Sequence, residues 1–229
     1  MSKQLHTAVK NILAMPYFKN EHARSGGATY GHEEAVAIRI KDAGFTEVVK
    51  TKKNYPKLKK GLLKKWARGG DDTALREATQ GLPVGSYILQ PAGSQGFPDI
   101  LILDFNNVFV SLECKSGKTG LNPMWNDNLP NPNTIYILSS GEMDETTIFM
   151  GRDVITPEEY ALMDEQEAAI AKVVKEYNLK MNAIDKFGRG WHQKSRKQHF
   201  QGGGNVKTNY FTHHNRNQCE ANALEFANQ

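Results

Sequence analysis

Residues 96–117 read GFPDILILDFNNVFVSLECKSG, two apolar runs on either side of Phe105-Asn106-Asn107. Runs this short, rich in Ile, Leu and Val and broken by a polar turn, predict paired strands buried on both faces, and such strands require a sheet with cover on each side. Side chains alternate along a strand, so Glu113 and Lys115 share one face and Cys114 points into the core on the other. The turn length decides where Asp99 falls. A two-residue turn, Asn106-Asn107, pairs Phe105 with Val108 and sets Asp99 opposite Cys114. A three-residue loop with Asn107 in the left-handed conformation pairs Asp104 with Val108 and sets Asp99 opposite Glu113, and this is the register expected. The facing carboxylates then stand ~5 Å apart at Cβ. Like charges that close need an offsetting partner, and a divalent cation beside Lys115 supplies one.

Around this hairpin the chain punctuates itself clearly. YGHEEAVAIRIKDAGF (30–45) places Val36, Ala37, Ile40 and Ala43 at helical spacing, with Gly44 as the stop. Glu33 lies on the same stripe as Val36 and Ile40, whereas Glu34 leads to the opposite side. Thr46 to Val49 predicts a short strand, Thr134 to Ser139 (TIYILS) a buried one, and Thr147 to Met150 a further one. Thr156-Pro157-Glu158-Glu159 carries a cap, a first-turn proline and the Glu of a capping box, so a long helix is expected to about Ile184. The segment FGRGWHQKSRKQHFQGGGNVKTNYFTHHNRNQ has weak periodicity and predicts loop or irregular β structure.

Charge is segregated along a chain of net charge +4. Lys50 to Arg68 holds nine Lys/Arg and no acid, and Lys180 to Arg216 holds eight Lys/Arg and four His against Asp185 alone. Between them, Glu142 to Glu167 holds nine acids and only Arg152. Such blocks fit a protein with one face toward a polyanion, although a solvated helix surface produces them too. The stretch from 50 to 70, with its glycines, reads as an inserted, surface-facing excursion. No apolar run is long enough to span a bilayer, the N-terminus lacks a signal-peptide core, and Cys114 and Cys219 form no CxxC pair. The expectation is a cytoplasmic protein of one domain, 1–229, with a core of about 30–150.

Pro98-Asp99, followed fourteen residues later by Glu113-Cys114-Lys115 on a strand-turn-strand unit, resembles the PD-(D/E)XK nuclease superfamily. AGSQGF ahead of Pro98 is similar to the Gly/Ser-rich approach of archaeal Holliday-junction resolvases, and Glu33, eleven residues ahead of Gly44, resembles the acid often added by the family's first core helix. The resemblance spans about 30–50 and 93–140. It implies an α/β fold, a restriction endonuclease-like core in which a mixed central β-sheet is flanked by helices, here with basic insertions. It also implies hydrolysis of phosphodiester bonds with Mg²⁺ held by Asp99, Glu113 and the backbone carbonyl of Cys114, Lys115 beside the attacking water, and Glu33 contributing to catalysis. The chain departs from the pattern at 116–133, SGKTGLNPMWNDNLPNPN, where the family usually has a helix and this composition cannot form a regular one. The excess length from 45 to 92 looks more like a sequence-specific type II restriction enzyme than a minimal resolvase.

Candidate contacts to double-stranded DNA are Ser94, Gln95 and Lys118 near the hairpin, and Arg189, Lys194, Arg196, Lys197, Asn205, Lys207, Asn209, Asn215 and Arg216 from the basic elements at about 185–218, with a further basic element at about 50–70. For Ser94 and Gln95 ordinary turn chemistry is the competing reading. Trp191, Phe200, Tyr210 and Phe211 could stack on bases or anchor a small core. A restriction enzyme implies a homodimer, since two strands demand two sites, and allows a cognate DNA methyltransferase. A structure-selective nuclease for junctions or repair, and a DNA-binding module without catalysis, are the alternatives.

Overall fold

The computed structural model describes residues 2–17, 30–51, 53–94, 96–118, 121–126, 129–194, 198–199, 201 and 208–229. Six strands form one mixed sheet in the order β1-β2-β3-β4-β6-β7: β1 Thr46–Glu47, β2 Ser86–Leu89, β3 Ile100–Leu103, β4 Phe109–Gly117, β6 Thr134–Ser140 and β7 Glu145–Met150. The β1/β2 and β4/β6 pairs are parallel and the others antiparallel. A second, two-stranded sheet pairs β5 Trp125–Asn126 with β8 Gln198–His199.

Strand alternation divides the core in two. Ile100, Ile102, Val110, Leu112, Ile135 and Ile137 face one side, where α1 Lys3–Leu13, α2 Tyr30–Asp42 and α6 Arg216–Asn228 cover them. On the other side Ile88, Leu101, Leu103 and Phe109 meet α3 Lys60–Ala67 and α4 Thr73–Ala78. Further along that face Tyr136, Leu138 and Phe149 pack with Trp125 and Phe211. Tyr136 and Phe149 stack at 5.5 Å, and Trp125 meets both edge-on. Helices on both faces are what continuous Ile/Leu runs demand, each fully buried side chain being worth ~2 kcal/mol.

α2 ends where expected, with Gly44 at φ 101°, a conformation that penalises a side chain. α5 Pro157–Ala183 starts on the expected capping box: Thr156 Oγ1 accepts from the Glu159 N–H, and Glu159 Oε2 accepts from the Thr156 N–H. The β4 to β6 connection contains no helix among its described residues.

Several elements differ from the sequence expectation. The block from 50 to 70 is not simply a surface excursion: Leu58, Leu63 and Ala67 are fully buried, because α3 is amphipathic and lays its apolar side on the sheet while its lysines face outward. The extra length after Phe45 also supplies β2, which sits between β1 and β3 as part of the central sheet. α1 was not foreseen, although Leu5, Ala8, Val9 and Ile12 stand at helical spacing behind an N-cap Ser2, and all four are buried. α6 lies where irregular structure was expected to end, and inserts Ala223 and Ala227 against α1 and β7. Tyr210 and Phe211 serve as core anchors. Among the described residues no helix is long and apolar enough to cross a membrane.

Candidate active site

The hairpin adopts the three-residue loop. Asn107 has φ 60°, the Asp104 N–H donates to the Val108 carbonyl, and the ladder pairs Ile100 with Leu112 and Leu103 with Phe109. Asp104 is fully buried and holds this turn: Oδ1 accepts from the N–H groups of Asn106 and Val108 at 2.9 Å, and Oδ2 from the Ser2 N–H at 2.7 Å. Continued by one residue, the ladder sets Asp99 opposite Glu113. The side chains lock that juxtaposition, since the Asp99 N–H donates to Glu113 Oε2 at 3.2 Å and the Cys114 N–H donates to Asp99 Oδ2 at 2.7 Å.

Lys115 Nζ lies 2.7 Å from Glu113 Oε1. These three groups occupy the face shared with Leu101 and Phe109, in a polar gap between that face's two apolar clusters, beside the Ser111–Thr134 hydroxyl pair. Glu33 reaches them from α2, which covers the opposite face. Its Oε2 accepts from Gln90 Nε2 at 3.0 Å, and Glu34 is exposed. The three carboxylates and one ammonium lie close enough for their charges to interact.

The electrostatics follow from that count. Burial, then the charges of Glu113 and Glu33, push the Asp99 carboxyl well above the usual carboxylate range. Burial likewise raises Glu33, against its hydrogen bond from Gln90 and with the charge of Glu113. Burial works against the Lys115 ammonium, but the charge and hydrogen bond of Glu113 and the charge of Asp99 outweigh it, leaving Lys115 above the ordinary lysine value. Burial and the neighbouring carboxylates raise the Cys114 thiol, which packs against the core as an inert group.

The donor set fits a hard divalent cation. Asp99 and Glu113 present oxygens, and the N–H and C=O of one strand residue point to the same edge, so the Cys114 carbonyl faces the side on which Asp99 receives the Cys114 N–H. Among the described residues no group of three or more His, Cys, Asp and Glu side chains is placed to hold a metal ion. Mg²⁺ does not require one, since it is commonly held by one or two carboxylates with water and substrate phosphate completing its shell.

The residues expected to touch DNA fare differently. Ser94 and Lys118 are exposed beside the hairpin. Arg216 is committed within the fold: its guanidinium bonds Glu220 at 2.7 Å, Glu145 at 2.8 Å and the Phe211 carbonyl at 3.0 Å, so it staples α6 to β7 and is not an available base-reading group. Asn209 accepts from the N–H groups of Phe211 and Thr212, the turn role of an Asx side chain, and Asn215 is the N-cap position of α6. Arg189 and Lys194 are exposed in the segment that follows α5, Lys194 beside Ala171, Val174 and Asn178 of that helix. Gln95, Arg196, Lys197, Asn205 and Lys207 lie outside the described residues, as does Phe200.

Two cavities lie along the central sheet. A groove of about 710 Å³ is lined by Lys50, Thr51, Lys59, Lys60, Gln90 and Gly93 among others. Gln90 also donates to Glu33, so the groove meets that one carboxylate through a single side chain, while Lys50 is held by the Leu58 and Pro91 carbonyls; the sequence expectation of a basic element at about 50–70 did not include a groove, which forms where α3 packs beside β2. A half-open cavity of about 310 Å³ between β7 and residues 208–219 is lined by none of Asp99, Glu113 and Glu33. Comparison of the chain with protein-family models, with curated proteins and with solved structures finds no match.

Proposed function

We propose that this chain is a metal-dependent endonuclease that hydrolyses phosphodiester bonds of double-stranded DNA, built on a restriction endonuclease-like core of the PD-(D/E)XK type, with a type II restriction enzyme as its specific form. The observation that carries the reading is the hairpin register, which sets Asp99 across from Glu113 with Lys115 bound to Glu113. Burying like charges side by side costs stability, and nothing in the packing of the sheet calls for them. The acid on α2 and the basic groove beside Gln90 support the same reading.

Asp99, Glu113 and the Cys114 carbonyl would hold Mg²⁺, which when bound stabilises charge on the phosphate and acidifies a water. Lys115, kept protonated by Glu113, acts as a fixed cation: its remaining N–H donors orient the attacking water or a phosphate oxygen. It does not serve as the proton acceptor in this arrangement. Glu33, whose proton affinity burial raises, would receive or relay that proton. Lysines lining the groove, Lys59 among them, neutralise the phosphates of the flanking duplex.

Incubation with plasmid DNA and Mg²⁺ tests the reading. Discrete fragments are the expected product. Cutting confined to branched DNA would point instead to a junction or repair nuclease, and absence of cutting with Mg²⁺ or Mn²⁺ would leave a binding module. Asp99→Asn and Lys115→Ala should each lower the cleavage rate by at least about a hundredfold while DNA binding in Ca²⁺ persists.

A further inference from the structure

The ladder between β2 and β3 runs one pair past Leu89 and Ile100, because the Gln90 N–H donates to the Asp99 carbonyl at 2.6 Å. Asp99 is therefore flanked across the sheet by Gln90 on one side and Glu113 on the other. Gln90 then leaves the strand: its φ is 46°, and its carbonyl accepts from the Gly93 N–H at 2.8 Å. That left-handed conformation is ordinary for glycine and uncommon for a residue with a long side chain, so a strained backbone carries this amide. The turn also ends the strand alternation. Regular alternation puts Gln90 with Ile88 on the side of α3, and the left-handed turn lets its side chain reach Glu33 on α2, which covers the other side, with Nε2 donating to Glu33 Oε2 at 3.0 Å. Gln90 is half-buried and lines the basic groove together with Lys50, Thr51 and Lys59.

We infer that Gln90 couples the DNA strand to Glu33: one N–H of its amide holds the Glu33 carboxylate, and the other donates to a phosphate oxygen of a strand lying in the basic groove. This rests on the nuclease reading of the carboxylate centre. A carboxamide nitrogen carries two N–H groups and no charge. Among the described residues that nitrogen forms one hydrogen bond, to Glu33, which leaves the second donor for a ligand in the groove. A lysine at this position would neutralise Glu33, and a carboxylate would repel both Glu33 and the phosphate. A neutral double donor binds two anionic oxygens at once. Lys59, exposed on the same groove, supplies positive charge that draws the strand in, whereas Lys50 is committed to the Leu58 and Pro91 carbonyls. Gln90 thus fixes where the acid on α2 stands relative to the strand, and is a positioning residue that acts through Glu33.

The test is single-turnover cleavage, with Mg²⁺, of the DNA that the parent chain cuts, together with binding of that DNA in Ca²⁺. Two variants share the work: Gln90→Gly suits the left-handed backbone, and Gln90→Met keeps the bulk without the donors. Both should lower the cleavage rate about ten- to a hundredfold and weaken binding about threefold or more, as loss of hydrogen bonds to charged groups does. Gln90→Gly should keep the parent's melting temperature within a few degrees, since glycine relieves the strain. In a Glu33→Gln background, Gln90→Gly should slow cleavage no further yet weaken binding as before. Cleavage by either variant within about twofold of the parent overturns the inference and leaves the nuclease reading standing. A loss that multiplies with that of Glu33→Gln, or one that only follows a lowered melting temperature, does the same. Unchanged binding overturns the phosphate contact. A parent chain that cuts no DNA with Mg²⁺ or Mn²⁺ overturns the nuclease reading and this coupling with it.

Discussion

At the scale of single residues, the charge of Asp99 disfavours the folded state. Its folded proton affinity stands above that of the unfolded chain, so between those two values the folded protein holds a proton that the unfolded chain has released, and stability declines as pH rises through that window. Asp99→Asn should therefore raise the melting temperature at pH 8, by roughly 1–3 kcal/mol in stability. Mg²⁺ should raise it for the parent chain but hardly for the variant; equal metal effects on both would count against Asp99 as a ligand. His32 behaves oppositely. It is 3% exposed on α2, and among the described residues neither ring nitrogen has a partner in hydrogen-bond geometry, the Ile137 backbone being only a looser contact. Burial holds it down to about 4, so between the ordinary histidine value and that point only the unfolded chain takes up the proton. Acidification from pH 7 to 4 should cost about 3 kcal/mol through this residue. Urea unfolding of His32→Leu should show that much less pH dependence, and an unchanged slope would mean that His32 is satisfied by a partner.

At the scale of elements, the helices divide by what anchors them. α3 looks basic in sequence, yet Leu63 sits at zero exposure against Leu101 and Phe109. Leu63→Ala should cost about 2–4 kcal/mol in chemical denaturation, whereas Lys59→Ala should change stability by less than about 0.5 kcal/mol and instead weaken DNA binding and flatten its salt dependence. α5 relies on its cap, and Thr156→Ala should speed hydrogen exchange in its first turn, at a cost of about 1 kcal/mol. The hairpin, α2, α5, β6 and β7 were legible because periodicity, caps and turn residues agree locally. β2 and α6 were not, because SYIL is too short to stand out and the apolar side of α6 is mostly alanine, a weak signal until α1 and β7 are there to meet it.

At the scale of the whole molecule, α1, α2 and α6 cover one face of the sheet and α3 and α4 the other. The sequence by itself determined the hairpin, its register and the common face of Asp99, Glu113 and Lys115, because a three-residue turn and a period of two are local rules. Only the tertiary structure decided that Glu33 joins them from the other side of the sheet through Gln90, that the lysines near α3 border a groove, and that Arg216 is spent on Glu145 and Glu220. Those outcomes depend on which distant segments pack together, and packing is chosen by the burial of the whole core, which no short window of residues encodes.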